Sequence, residues 1–473
     1  MGVGRKPTGG TELAAVVLPA RLPVAARRGG AVEAGLRELD GQLVGWFRLA
    51  GGDHHGAIGD VEGDTITRLV HTAVDAGAPV LGVLDTSGAE VGAGVAALHA
   101  WGGVARALAR ASGVVPVVLV VIGPCVSGPA LLLGLADVVV MTADAVAYVS
   151  GPGAVQAWTG TRIAPELLGG SAMHDQRSGV AHLVAPDEQA AVSAALDVLD
   201  FLPSHNLAGP PWAPATDPAD RDCSNLGALV PEAATASYDM GQAVADVVDD
   251  AKLLELRPRH APNLITGLAR IGGAPVGVVA NQPAVLAGTL DQVASQKGAR
   301  FVQWCDAFNL PLVTFVDTPG FLPGKDIEWG GMIRKGAQLV HAYAAATVPR
   351  LCVITRKAYG GAYIVMDSKD MGNDLCVAWP TAEVAVMGAP GAVRVLHRRT
   401  LAALAGDEAE AEQARLEADY TERYCNARIA AERGYIDDLI EPVDTRRVLA
   451  AALRSLGAKR EHLPQRRHAN TPL

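Results

Sequence analysis

The 473-residue chain reads as an α/β protein of two homologous domains, and three observations predict it. The segment from Gly77 to Val155 is repeated from Asn309 to Val393. Within each copy, short β-branched runs alternate with longer helix-forming stretches, the rhythm of strands and helices stacked in layers. The composition joins 49% apolar residues to only 4% aromatics, so the interior is built from Ala, Val and Leu, much of it inside layers or subunit contacts. The length exceeds what one hydrophobic core usually serves, which again favours two domains. An oligomer is expected.

The copies align at LDTSG (Leu84 to Gly88) and VDTPG (Val316 to Gly320), an offset of 232, and at Val115-Pro116 and Val348-Pro349, an offset of 233. Each begins with an apolar strand that ends in the Asp-Thr-x-Gly turn. A helix follows, around Ala96 to Ala111 in the first copy and Met332 to Ala346 in the second. After the Val-Pro step comes a second strand, VVLVVI (Val117 to Ile122) or LCVI (Leu351 to Ile354), then a glycine turn, a helix start and a further strand. Both copies close on PGAV. Between them, 204–222 is rich in Pro and Asp, a linker signal, and sets domains at 35–222 and 223–473. Residues 1–34 are expected to be an N-terminal extension, since no uninterrupted apolar run with a cleavage site marks a secretory leader.

The net charge of -10 and the scatter of basic residues argue against nucleic acid as a partner. The longest apolar stretch, Gly113 to Met141, is broken by Pro116, Gly123-Pro124, Gly128-Pro129 and Asp137, which points to buried strand, turn and helix and not to a membrane span. The six cysteines form no CxxC or metal spacing, so reduced thiols and a cytoplasmic protein are expected, with no bound metal. Asp317 to Gly320 has the look of a GTPase switch, but no phosphate-binding loop accompanies it. Ser127 does not sit in a Gly-x-Ser-x-Gly elbow, and His54-His55 has no third ligand, so hydrolase and metal readings are minor. His174 and His182 are expected to hold structural hydrogen bonds, and the charged run from Gly406 to Gly434 a solvated or subunit-facing helix.

The stretch TRKAYGGAYIVM, residues 355–366, places Gly360-Gly361 where a buried strand hands over to a helix. Glycine there costs backbone entropy and packs nothing, so the usual reason for it is a close approach to bare N–H groups. A helix that opens directly after a strand presents such groups, with the helix dipole adding positive potential. The turn is therefore suited to hold an oxyanion.

Those residues carry a resemblance. RKAYGGAYIVMDSK, together with ANQPAVLAGTLD, SQKGARFVQWCDAFNLPLVTFVDTPGFLPG, AWPTAEVAVMGAPGAV and the terminal HANTPL, resembles the carboxyltransferase β subunit of biotin-dependent acyl-CoA carboxylases of the propionyl-CoA and acetyl-CoA type. The likeness is continuous from about Ser224 to the end and weaker from about Leu49 to Pro203. It implies two crotonase-like domains, each a spiral of ββα units, in a ring of six subunits. The N-terminal domain of one subunit then takes acyl-CoA, and the C-terminal domain of another takes carboxybiotin brought by a separate biotin carrier protein and biotin carboxylase. In this family, carboxybiotin releases CO2, its ureido nitrogen takes the α-proton of the thioester, and the enolate attacks CO2. Two oxyanions form, so two oxyanion holes are needed. By resemblance, Gly361 and Ala362 donate to the biotin ureido oxygen, with Gly360 tightening the turn. Ile364 lies where the family varies with acyl chain, so it is expected either to line an apolar acyl pocket or to pack in the core.

The sequence departs from the family at two places. The offset of 233 puts Ser127-Gly128-Pro129 on Gly360-Gly361-Ala362, and proline has no N–H to give. Either one donor to the thioester enolate is missing, or Pro129 is a helix starter and Ser127 and Gly128 are the donors. Glu90 stands where the family tends to carry an arginine, which means a lost phosphate contact or a change of loop packing. Three functions follow: an acyl-CoA carboxyltransferase, a carboxyltransferase for a carrier-bound or non-thioester acceptor, and a non-catalytic partner in a mixed ring of homologous subunits. A homo-hexamer and a mixed ring both remain open, as do the acceptor and the direction of net flux.

Overall fold

The computed structural model describes residues 27–472 except 40, 53, 216, 232, 234, 235, 460, 462 and 471. Residues 1–26 of the expected N-terminal extension thus lie outside the described residues. The remainder of that extension is already sheet, with β1 at Arg27–Gly29 and β2 at Val32–Leu39. The reason is the alternation Val32, Ala34, Leu36, which turns every second side chain of β2 into the core.

The chain divides into two units. Residues up to Gly209, with Arg257–His260, form the first, and Pro210–Leu256 with Ala261–Leu473 the second. The segment read as a linker does not hang free: its Pro-rich part from 210 on is pinned to the second unit. Ala213 N–H donates to Gly273 O at 3.0 Å, and Arg446, fully buried, donates to Asp217 O and Pro218 O at 3.0 and 2.9 Å. Arg446 also reaches Asp249 Oδ1 at 2.6 Å, which gives its buried charge a partner. Asp217 and Pro218, members of the stretch read as a linker, supply carbonyls to this arginine.

In the first unit, β2, β3 (Gln42–Leu49), β4 (Val80–Thr86), β5 (Val117–Val126), β6 (Val138–Thr142) and β8 (Leu183–Ala185) follow β1 across one sheet. A short β7 (Val146–Tyr148) pairs with the far end of β5. Strands β1 to β3 are antiparallel hairpins, and from β3 onward the pairing is parallel. Helices Asp60–Ala76 and Val95–Ala111 send Ile66, Leu69, Ala73, Val104 and Leu108 into the core beneath β2 to β6.

The second unit repeats the pattern with β9 (Leu254–Glu255), β10 (Leu264–Ile271), β11 (Ala274–Asn281), β12 (Leu312–Thr318), β13 (Arg350–Tyr359), β14 (Leu375–Ala378), β15 (Glu383–Ala385) and β16 (Asp438–Leu439). Its order is β9-β10-β11-β12-β13-β14-β16, and β15 pairs with β13 as β7 does with β5. Every residue of β12 and β13 is buried, as expected of parallel strands covered on both faces. The expected repeat is therefore a repeat of topology.

Even its irregularity is shared. The β4–β5 register shifts between Leu84 and Thr86, and the β12–β13 register between Val316 and Thr318. The extra residues fall on β5 and β13 just before the glycine turns, so each turn is aimed by a bulge at the C-terminal end of a parallel sheet. Helix Asp407–Tyr424 opens on Asp407, Glu408 and Glu410, which suit its dipole, and buries only Leu416. Arg423–Asp419 and Arg415–Glu412 lie along it, the pairing expected of the charged run.

Candidate functional site

The second glycine turn follows β13 directly. Tyr359 ends the strand in extended conformation, Gly360 takes φ 60, and the helix Gly360–Val365 begins. A left-handed φ without strain is what glycine supplies here. As members of the first helical turn, Gly361 and Ala362 have no carbonyl behind them within the helix, and no side chain caps it. A side chain on Gly361 would come to 3.4 Å of the Phe321 ring, so that residue forms one wall of the turn. Ala362 is buried, whereas Ile364 is 42% exposed on the same helix. Core packing does not account for that isoleucine.

Two anchors hold the turn from below. The Tyr359 hydroxyl donates to the Glu383 carboxylate on neighbouring β15, and burial, followed by that carboxylate, pushes the phenol's pKa up. Arg356, almost fully buried, pairs with Asp317 at 3.0 Å and donates to the carbonyls of Pro231, Ala233 and Ala236 at 3.4, 3.0 and 2.8 Å. The guanidinium also sits 5.0 Å from the centroid of the Tyr238 ring. Asp317 takes the Lys357 N–H at 3.2 Å as well, so the end of β12 and the bulge of β13 are tied by one carboxylate.

Beyond the helix, Asp367 has φ 62 and meets Arg350 at 2.7 Å, both fully buried. Burial raises its carboxyl from 3.8 to about 7 although Arg350 pulls it down. A folded-state value above the unfolded one means that the native protein binds the extra proton, so this group stabilises the fold below about pH 4 and that contribution is lost as pH rises through about 7. Asp367→Asn, which tolerates the same backbone, is expected to remove this slope. In urea titrations between pH 4 and 8, the stability difference between wild type and variant should shift against the wild type up to about pH 7 and then level off. A constant difference would refute it.

The first turn is built alike and supplied differently. Ser127 has φ 64 and heads the 3-10 helix Gly128–Leu135. Its N–H donates to Tyr148 O at 2.9 Å, so the expectation that Ser127 and Gly128 both offer amides is corrected. Strand β7 takes the amide of Ser127, Pro129 has none, and Gly128 alone is left. A side chain at Gly128 would come to 3.0 Å of Trp101, whose indole N–H is buried without a partner. By the same offset, Gly123 and Pro124 replace Arg356 and Lys357, so Asp85 has neither the guanidinium nor the amide that Asp317 enjoys. Burial raises its carboxyl, partly opposed by Arg48.

Glu90 accepts from Gly92 N–H at 3.1 Å and pairs with His54 at 3.1 Å, which is the loop-packing reading of that departure. A cavity of about 560 Å³ beside it carries Asp60, Glu62 and Glu90 against the single basic side chain of His54, an acidic balance that does not favour phosphate. His174 bonds Ser178 Oγ and Ala147 O, each at 2.7 Å, and His182 accepts from Val139 N–H, structural roles as expected. Among the described residues, no three His, Cys, Asp or Glu gather as a metal site, and no helix is long and apolar enough to cross a membrane.

Phe321, Tyr359–Glu383, Asp317–Arg356 and Trp101 escaped sequence reasoning. The ion pair had a signal, because aligning the repeats shows an arginine on one side and a glycine on the other. The aromatic walls had only their scarcity.

Comparison with known proteins agrees with these features. Residues 24–471 match the family described as "Carboxyl transferase domain". The chain is 45% identical over 456 residues to the propionyl-CoA carboxylase beta chain of Saccharopolyspora erythraea, covering 94% of this chain and 84% of that one. It is 40% identical to the methylmalonyl-CoA decarboxylase subunit alpha of Veillonella parvula, covering 94% and 86%. Among solved structures, a chain of the transcarboxylase 12S crystal structure with hydrolyzed methylmalonyl-coenzyme A bound superposes with TM-score 0.90 at 37% identity, over 94% of this chain and 85% of that one. The crotonase-like expectation for the two α/β units holds, and the chain belongs to the carboxyl transferase domain family.

Proposed function

We propose that this protein is the carboxyltransferase component of a biotin-dependent acyl-CoA carboxylase, with its acceptor side in the first unit and its biotin side in the second. The reading is carried by the turn at Gly360, where two consecutive amides open a helix at the end of a parallel sheet, in a chain that matches the family over nearly its whole length. The donor set fits carboxybiotin: two N–H groups for a urea oxygen, beside the apolar Phe321 and Ile364. Bound there, that group supplies CO2 and a base for the α-proton. Gly361 and Ala362 hold the negative charge that collects on the oxygen, and Arg356 with Asp317 keeps the bulge that aims them. No side-chain acid or base is needed.

The relatives named above act on short acyl-CoA thioesters, so propionyl-CoA is the first acceptor to test. The purified chain, given a carboxylated biotin carrier protein and propionyl-CoA, is expected to form the α-carboxylated thioester. Failure with every acyl-CoA from two to sixteen carbons, roughly the span of ordinary acyl chains, while biotin still binds, would defeat the reading. We also propose a ring of six in the cytoplasm, working with separate biotin carboxylase and carrier subunits. Sedimentation of the purified chain at one-sixth of the expected ring mass would count against it.

One observation favours a second reading. The first unit has a single amide, that of Gly128, where two are expected, which suits a non-catalytic first half in a mixed ring of homologous chains. Such a chain would be inactive alone and gain activity on adding a homologous subunit with two donors.

A further inference from the structure

We propose that the hydroxyl of Ser127 supplies the donor that Pro129 lacks, so that the first unit's oxyanion hole is one amide and one side-chain O–H. The inference rests on the carboxyltransferase reading above and goes beyond it in naming a donor that the repeat does not share.

Four observations lead there. Ser127 and Gly360 hold the same place after their strands, each with a positive φ, 64 against 60. Of the three positions in the first turn, Ser127 gives its amide to Tyr148 O, Pro129 has no N–H, and only the amide of Gly128 remains. At φ 64 and ψ -156, a region nearly restricted to glycine, the strain on a residue with a Cβ is about 1–3 kcal/mol, yet a chain with 53 glycines places serine here. The serine side chain makes no local use of its position: it is exposed, caps nothing, and has no hydrogen-bond partner among the described residues.

A hydroxyl rotates to suit its acceptor, and its Cβ is only one residue from the Gly128 amide. When the α-proton leaves the acyl thioester, charge gathers on the thioester oxygen. The Gly128 N–H and the Ser127 O–H each donate one hydrogen bond to it, and neither proton is transferred. Gly128 itself cannot carry a second donor on a side chain, because Trp101 fills that space. The arrangement keeps an acyl-CoA function in a sequence that has lost the backbone donor.

The test is Ser127→Gly in the full chain, assayed with carboxylated biotin carrier and propionyl-CoA. Because glycine relieves the backbone, the variant should melt no lower than wild type, yet kcat should fall about 100-fold with KM little changed. Stability and activity would then move in opposite senses, which a structural role for Ser127 does not produce. Ser127→Gly with Pro129→Ala, which copies Gly360-Gly361-Ala362, should recover most of the loss by restoring a backbone donor. If wild type turns over and Ser127→Gly matches it within twofold, the hydroxyl has no such role. If wild type carboxylates no acyl-CoA, the functional reading fails and the role of Ser127 fails with it.

Discussion

Ala362→Pro is expected to lower kcat for carboxyl transfer by about 10²–10³ while leaving the chain folded, because it deletes one of the two N–H groups that the proposed function assigns to the developing oxyanion. The substitution is mild for the fold by the protein's own example. Pro129 occupies the equivalent place in the first unit and is buried there in the opening turn of its helix. Proline is tolerated in a first helical turn because the lost N–H has no intrahelical acceptor, and the residue it would restrict, at 361, is glycine. Circular dichroism and the mass of the assembled protein should match wild type, and binding of acyl-CoA should be unchanged. Retention of more than a fifth of the activity would remove the amide of residue 362 from the mechanism.

Arg356→Ala is expected to cost about 3–5 kcal/mol of stability, the range for stranding one member of a buried ion pair. Asp317 would be left without its guanidinium in a place where it has no solvent exposure. Three carbonyls between Pro231 and Ala236 would lose their donor at the same time. The urea midpoint should fall accordingly, and Asp317→Asn combined with Arg356→Met should restore part of it, since that pair leaves no uncompensated charge. A loss below about 1 kcal/mol, the level of an exposed pair, would show that the cluster is hydrated.

Much of this was legible beforehand. Two copies of a strand, an Asp-Thr-x-Gly turn, a helix and a Val-Pro step stand in the chain at a nearly constant offset, and parallel strands buried on both faces must be continuously apolar. Gly360-Gly361 could be read because a bare backbone in a strand-to-helix step has few other reasons to exist. The likeness to a family followed from the same residues. The Pro- and Asp-rich stretch 204–222 reads as a linker by composition, and composition does not tell that the carbonyls of Asp217 and Pro218 serve a buried arginine more than two hundred residues later.

By itself, then, the amino-acid order determined the duplicated α/β plan, the place of the two turns, and the lack of an amide at 129, since each depends on neighbours along the chain or on covalent structure. Tertiary structure alone decided which donors remain. The amide of Ser127 is taken by Tyr148, twenty-one residues on, and Arg356 finds its acid on another strand. Hydrogen bonds of that kind are set by which strands lie side by side, and adjacency across a sheet is written in no local pattern.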